Sequence, residues 1–229
     1  MLLALDTATR QSGLALVDGE TLVAELNWTS SDNQTVELLP RLNQILAWHN
    51  LSPGDVQAVA VSLGPGSFTG LRVALSLAKG MAVAHDLPLL GVPTLDASAL
   101  PFVAADRPVC AVAPAGRGRI YWATYAATSN ELRHLPVDLG TWQGWRSEYQ
   151  LSDVQALPGM LREPTILVGE MPTASYTDST AALAGWSILR APAATTRRAA
   201  AVAALGWHRW RAGDLDPAAS LTPIYLQEP

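Results

Sequence analysis

Two short stretches carry residue types that could do chemistry. Asp6, Thr7 and Thr9 follow the apolar run Leu2 to Leu5, and SLGPGSFTGLR spans residues 62 to 72. A carboxylate beside small hydroxyls at the end of a strand is suited to holding a metal or orienting a water at a phosphate. A glycine loop that joins a strand to a helix offers unpaired N–H groups, and anions occupy such a place readily. Asp6, Thr7, Gly64, Gly66, Ser67 and Thr69 are therefore the candidate nucleotide or phosphate contacts. The competing reading is structural: Asp6 caps its turn, and Ser67 or Thr69 caps a tight strand-to-helix connection. The loop is not a Walker A motif, because five residues separate Gly64 from Gly70 and Leu71-Arg72 follow. It is not the dinucleotide fingerprint, because Thr69 stands where the third glycine belongs.

Further catalytic equipment is sparse. His49, His85, His134 and His208 include no pair four residues apart, and no Cys and His cluster has zinc-site spacing. Cys110 lies in an apolar run and reads as a small buried hydrophobe. Ser67 lacks the Gly-x-Ser-x-Gly frame of a nucleophile elbow. Among the eight tryptophans, Trp122 alternates with Tyr121 in a strand, and Trp207 and Trp210 lie three apart on a helix. Packing explains them without base stacking. No catalytic residue and no metal ligand is predicted.

The elements that must position these residues come in a repeated order. Leu2–Leu5, Ser12–Val17 and Thr21–Trp28 read as a three-stranded meander with a turn at Asp18-Gly19. Leu38, Leu39, Leu42, Ile45 and Leu46 recur at helical spacing over Asn33–His49, with Pro40 either kinking the helix or lying in its first turn. Val56–Leu63 is a continuous apolar run of the buried parallel kind. A helix from about Thr69 to His85, a strand Leu87–Val92 and a helix Thr94–Ala105 follow. The grammar then restarts, with strands Pro108–Ala113, Ile120–Ala126 and Glu131–Val137, a Trp-bearing irregular stretch, a strand Thr165–Val168 and a helix Arg197–Arg211. Such duplication predicts two α/β lobes, 1–105 and 106–229, the second reduced and its C-terminal segment packing back on the first. By fold-level analogy this is the actin-like (ASKHA, ribonuclease H-like) plan of actin, hexokinase and Hsp70. In that plan the first hairpin of each lobe faces a nucleotide, and here the second hairpin, PAGRGR, has no carboxylate.

Composition narrows the function classes. The chain has 229 residues, 49% of them hydrophobic and 15% charged, with a net charge of −5. With a pI of about 5.3 it is a poor candidate for a nucleic-acid binder acting alone, since phosphate contacts need clustered Lys and Arg. One cysteine permits no internal disulfide. MLLALDTATR is too short an apolar start for a signal peptide, and no apolar run reaches spanning length. A soluble, cytoplasmic protein is expected.

GPGSFTGLR followed by ALSLAKGMAVA resembles the signature of the bacterial TsaB (YeaZ) family. LLALDTAT, DNQTVELLPRLNQIL, GVPTLDA, IYWATY and PIYLQ fall in the family's order over nearly the whole chain. The resemblance implies a non-catalytic subunit that binds the longer paralogue TsaD and works with the ATPase TsaE. The complex transfers a threonylcarbamoyl group to the adenosine beside the tRNA anticodon. It implies contact with tRNA only through the complex, no membrane, no cofactor on the isolated chain, and ATP or ADP at a site shared with the partners. It also implies that the two first-lobe helices form the TsaD interface and, without TsaD, a homodimer. The residues assigned to that interface are Leu38, Leu42, Ile45, Leu71, Arg72, Ala74, Leu75, Ala78, Met81 and Ala82. Ala78→Glu is then expected to leave the fold intact and abolish both associations. The chain departs from the family at Asn33, where His is common, and at Pro114 to Arg119, where Asp-Ala-Arg and Gly-Glu are usual. The alternative from another class is an independent ATP-dependent small-molecule kinase of the same superfamily.

Overall fold

The computed structural model describes residues 1–31, 33–128, 134–171, 187–188 and 196–226. They form two compact units, Met1–Thr94 with Arg198–Tyr225, and Leu95–Arg197. The chain thus leaves the first unit at Thr94, where the sequence pattern placed a boundary near Ala105, and its C-terminal segment returns to that unit.

The first unit is built on a mixed five-stranded sheet of order β3-β2-β1-β4-β5. Its strands are β1 (Leu2–Asp6), β2 (Gln11–Asp18), β3 (Thr21–Thr29), β4 (Ala58–Gly64) and β5 (Leu89–Pro93). The meander β1–β3 is antiparallel, and β4 and β5 add parallel to β1. Helices α1 (Gln34–Trp48) and α2 (Phe68–His85) make the crossovers, and Pro40 sits inside α1, past its first turn. Period-two alternation divides the sheet faces by size. Leu3, Leu5, Leu14, Leu16, Val59 and Val61 form one core with the buried sides of α1 and α2.

The other face is flatter, because Ala4, Ala58 and Ala60 alternate with those large residues. The Ala-rich helix α5 (Ala199–Arg211), numbered after α3 (Thr94–Ala99) and α4 (Leu157–Met160), packs across β1, β2, β4 and β5. Its approach is close: a Cβ on Gly206 would lie 2.4 Å from the Cβ of Ala60. No side chain of α5's own N-terminus caps it. Instead β3 supplies the acceptors: Asn27 Oδ1 accepts from the Ala199 N–H at 3.2 Å and Glu25 Oε1 from the Ala200 N–H at 2.9 Å. Glu25 Oε2 also takes Arg198 Nε at 2.7 Å.

The second unit repeats the plan in reduced form. Its strands are β6 (Val109–Gly116), β7 (Arg119–Ala126), β8 (His134–Asp138), β9 (Gln143–Ser147), β10 (Gln150–Asp153), β11 (Ile166–Gly169) and β12 (Ser187–Ile188). The path β12-β11-β6-β7-β9-β8 mirrors the first sheet, with β6 and β7 antiparallel and β11 parallel to β6. Where the first unit has the long helix α1, the second has a 3-10 turn and the single-turn α4. The architecture is the duplicated actin-like one. Strands β9 and β10 occupy the stretch that the sequence pattern left irregular. The expected strand Glu131–Val137 is seen from His134, and its residues 131–133 lie outside the described residues. The expected helix Thr94–Ala105 ends at Ala99 and continues as turns.

Burial pushes the Glu25 carboxyl up, but Arg198, the Ala200 N–H and Asn27 outweigh it and hold the group below its ordinary value of 4.5. Because its folded pKa lies below the unfolded one, the stabilisation is present above the unfolded value and is lost as pH falls through the folded one. Glu25→Ala should lower stability by about 1 kcal/mol at neutral pH, the usual effect of losing a helix cap. The deficit should shrink as pH falls below about 4.3. Denaturant titrations of both proteins across that range provide the check, and a pH-independent deficit would contradict the capping role.

Candidate functional site

The glycine loop is filled by its own chain. A Cβ on Gly66 would lie 2.2 Å from the Ala8 carbonyl oxygen, and one on Gly70 would lie 2.0 Å from that of Thr7. The β1–β2 turn therefore lies backbone-on-backbone against the loop. Hydrogen bonds fasten the seam: the Ser67 N–H donates to Ala8 O at 2.7 Å and Thr7 Oγ1 donates to Gly70 O at 2.6 Å. Ser67 is the N-cap of α2, its Oγ accepting from the Gly70 N–H at 3.3 Å. Asp6 is buried, and its Oδ1 accepts from the Ala8 N–H at 3.0 Å and from Ser62 Oγ at 2.7 Å. The structure thus brings Asp6, Thr7, Gly66 and Ser67 together, with Gly64 at the end of β4 and Thr69 in the first turn of α2. It does so through contacts that cap, tie and space the backbone. Gly64 has φ +104° and faces Ile224, whose N–H donates to Leu63 O at 2.7 Å.

The interface assignment requires correction. Leu38, Leu42, Ile45, Leu71, Ala74, Leu75, Ala78, Met81 and Ala82 are all buried within the first unit. Of the ten assigned residues only Arg72 is exposed. The physical reason is the position of these residues on α2: its small residues let the helix sink onto the sheet, so the side that carries Leu71, Ala74, Leu75, Ala78, Met81 and Ala82 becomes interior. A glutamate at Ala78 would enter the core, and Ala78→Glu tests folding rather than association. The outward residues of the same helices are different ones. Val36 is 70% exposed, Leu39 51% and Val83 79%. Between α1 and α2 runs an apolar groove of about 560 Å³, lined by Leu38, Leu39, Phe68, Val73 and Leu77 with Thr35, Thr69, Arg72 and Ser76 at its edges.

The sequence reading missed the C-terminal strap that finishes this unit. Arg209 bonds Asp214, Asp216 and the Gly91 carbonyl, while Asp216 accepts from the Gly91 N–H at 2.6 Å and its own N–H reaches Leu89 O. The strap ends on α2: Arg72 Nε donates to Tyr225 Oη at 3.2 Å, and the Tyr225 and Phe68 rings lie 5.3 Å apart. No local pattern signals contacts this distant in sequence. Also unforeseen is the buried carboxyl of Asp96 in the second unit, whose Oδ1 accepts from Tyr125 Oη at 2.6 Å and Tyr149 Oη at 2.9 Å with Arg146 Nε 3.4 Å away. Burial pushes that carboxyl above its ordinary value, against Arg146 and the two phenols. The PAGRGR hairpin turns tightly through Arg117 and Gly118, both with positive φ.

A family model described as TsaD, tRNA N6-adenosine threonylcarbamoyltransferase, matches residues 29–137. The chain is 35% identical over 136 residues to the tRNA threonylcarbamoyladenosine biosynthesis protein TsaB of Escherichia coli. That match covers 58% of this chain and 58% of the relative, so the chain spans less than two thirds of that relative's length. It is 32% identical over 175 residues to the protein of the same name from Haemophilus influenzae, covering 73% of this chain and 71% of the relative. YeaZ from Pseudomonas aeruginosa has the same fold, with a TM-score of 0.73 over 98% of this chain and 99% of that one at 23% identity.

Because the seam joins two backbones, neither side can yield to a new methyl group. Gly66→Ala should therefore cost at least about 2 kcal/mol, at the upper part of the range for overpacking, and lower the thermal midpoint measurably. An unchanged midpoint would mean that the turn and the loop are not in contact.

Proposed function

We infer the function from one premise: the chain belongs to the TsaB family. We propose that it is a non-catalytic subunit in the formation of threonylcarbamoyladenosine in tRNA. It binds a TsaD-type subunit through the outward surface of α1 and α2 and works with a TsaE-type ATPase. It meets tRNA only within that complex, and without the TsaD-type subunit it pairs with itself through the same surface. Nucleotide binds at a site shared with the partners, and the place of action is the cytoplasm. No helix among the described residues is long and apolar enough to cross a membrane.

The observation that carries this reading is the filled loop. The carbonyls of Thr7 and Ala8 occupy the space over Gly70 and Gly66 that a phosphate would use, and Asp6 is spent on a turn N–H and the Ser62 hydroxyl. The loop's product is then the helix it launches. The outward side of that helix supports a binding role through Gly80. This glycine is exposed inside α2, and a Cβ there would meet nothing within 4 Å. A mid-helix glycine costs roughly 0.5–1 kcal/mol relative to alanine. Nothing in the described residues calls for it, whereas close approach by another helix does.

Two experiments test the proposal. In a reconstitution with the TsaD-type and TsaE-type proteins of the same organism, tRNA modification should stop when this chain is omitted. Modification that proceeds unchanged without it overturns the proposal. The purified chain alone should not turn over ATP. Steady turnover that disappears in Asp6→Asn, a variant that keeps the Oδ1 acceptor and hence the turn, would favour the kinase alternative instead.

A further inference from the structure

Three non-glycine residues among those described have positive φ: Asn50, Asp86 and Arg117. Asn and Asp tolerate that conformation because a short polar side chain can bond its own backbone. Arginine has no such means. Arg117 occupies the first central position of the two-residue β6–β7 turn, with φ +54°, and Gly118 follows with φ +73°. Positive φ at both positions marks a type I′ turn, where Asn-Gly is a favoured pair. The hairpin thus carries arginine where asparagine or glycine would fit with less strain. Its tip is also bare. Arg117 is exposed, and a Cβ on Gly116 or Gly118 would meet nothing within 4 Å. In the first unit the corresponding β1–β2 turn lies against Gly66 and Gly70, whereas here the space beside the glycines is open. The base of the hairpin is firm: the Val154 N–H donates to Gly118 O at 3.1 Å, and β10 pairs with β7 over residues 119–122. Asp153 stands opposite Arg119 in that register. Among the described residues Arg117 itself has no ion pair or hydrogen bond.

We propose that Arg117 is a phosphate contact, and that the β6–β7 hairpin carries its guanidinium to the ribose-phosphate backbone of tRNA in the assembled complex. The inference rests on the reading that this chain works on tRNA within such a complex, and it names a residue through which the two meet. A guanidinium presents N–H donors in a flat fork that two phosphate oxygens accept together. Such a contact needs charge and reach, and no apolar surroundings. The tip supplies those alone, since only Gly116 and Gly118 flank Arg117. A protein partner would call for an apolar centre with a polar rim, and the tip has none. With a net charge of −5 the isolated chain has the same sign as RNA. One phosphate contact therefore gains effect only once other subunits hold the tRNA. Backbone contacts carry no sequence information, so the hairpin orients the RNA rather than selecting it.

The test uses the full-length chain, reconstituted with the TsaD-type and TsaE-type proteins of the same organism. Arg117→Asn is the informative variant, because asparagine removes the charge and suits the turn better. Its thermal midpoint should not fall. Its KM for tRNA should rise at least about threefold, and the slope of log affinity against log salt should shrink by about one. The KM for ATP and the assembly of the subunits should stay as in the wild type. Arg117→Lys should lie between the two. Arg117→Gly removes the charge in a residue that adopts positive φ freely, and should repeat the asparagine result. A tRNA KM and salt slope at wild-type values in both neutral variants overturn the phosphate contact. So does a rise in the KM for ATP in place of that for tRNA, which would assign the guanidinium to a nucleotide. Weakened subunit assembly overturns it too, and would assign the group to a carboxylate of a partner protein. Omitting the chain separates the two levels. If omission stops modification while Arg117→Asn behaves as the wild type, the hairpin inference alone fails. If modification proceeds without the chain, the underlying reading fails and the inference with it.

Discussion

The first unit depends on one seam, where the carbonyls of Thr7 and Ala8 press on Gly70 and Gly66. Two backbones can meet so closely only where one of them lacks side chains. The seam ties the β1–β2 turn to the first turn of α2, and two hydrogen bonds at 2.6 and 2.7 Å hold it there. Once α2 starts in that place and direction, its rotation is set as well. Leu71, Ala74, Leu75 and Ala78 turn to the sheet, and Arg72 and Ser76 turn away. The groove with α1, and the ridge that edges it, are therefore consequences of where the glycines sit.

The opposite face of the sheet is closed by a helix from the far end of the chain. Small residues on that face match an Ala-rich helix, and the depth of contact at Gly206 and Ala60 uses the absence of side chains in the same way as the seam does. The end of that helix depends on Glu25 and Asn27 of β3, residues distant in sequence. Capping by a neighbouring strand couples two things that local capping leaves independent: the first turn of the helix has these acceptors only where β3 is in place. The Arg209, Asp214 and Asp216 cluster then runs the chain back along β5, and the strap ends at Tyr225 on α2. Both faces of the sheet are thus finished by the same C-terminal segment.

Much of this was legible in the residues. Apolar runs of the right length marked β1, β2, β4 and β6, and the heptad-like recurrence of Leu38, Leu42 and Ile45 marked α1, because these patterns depend only on neighbours along the chain. The glycines of residues 64 to 70 announced a close approach, but not what approaches, since the partner backbone is about sixty residues away. The same limit hid the long-range caps of α5 and the Tyr225 contact. Strands β9 and β10 are short and only partly buried, so alternation had little length in which to appear. The interface was misplaced for a different reason. Composition shows that α2 is apolar almost all round, but not how deep it sinks, and depth is set by the alanines that permit it.

That depth gives the outward ridge its meaning. Residues on the inner side of α2 are constrained twice, by helix propensity and by fit against the sheet, and their identities report on this chain's own core. Those on the outer side carry no such packing constraint. A ridge shaped by helix stability alone would favour alanine at residue 80 and an acid within reach of Arg72 or Lys79. The chain has glycine at that position and no free acid on either helix. Both features weaken the isolated helix, and no packing among the described residues offsets the glycine. The burial pattern of α2 therefore separates two sets of residues in one element: the inner face is fixed by its fit to the sheet, and the outer face is not.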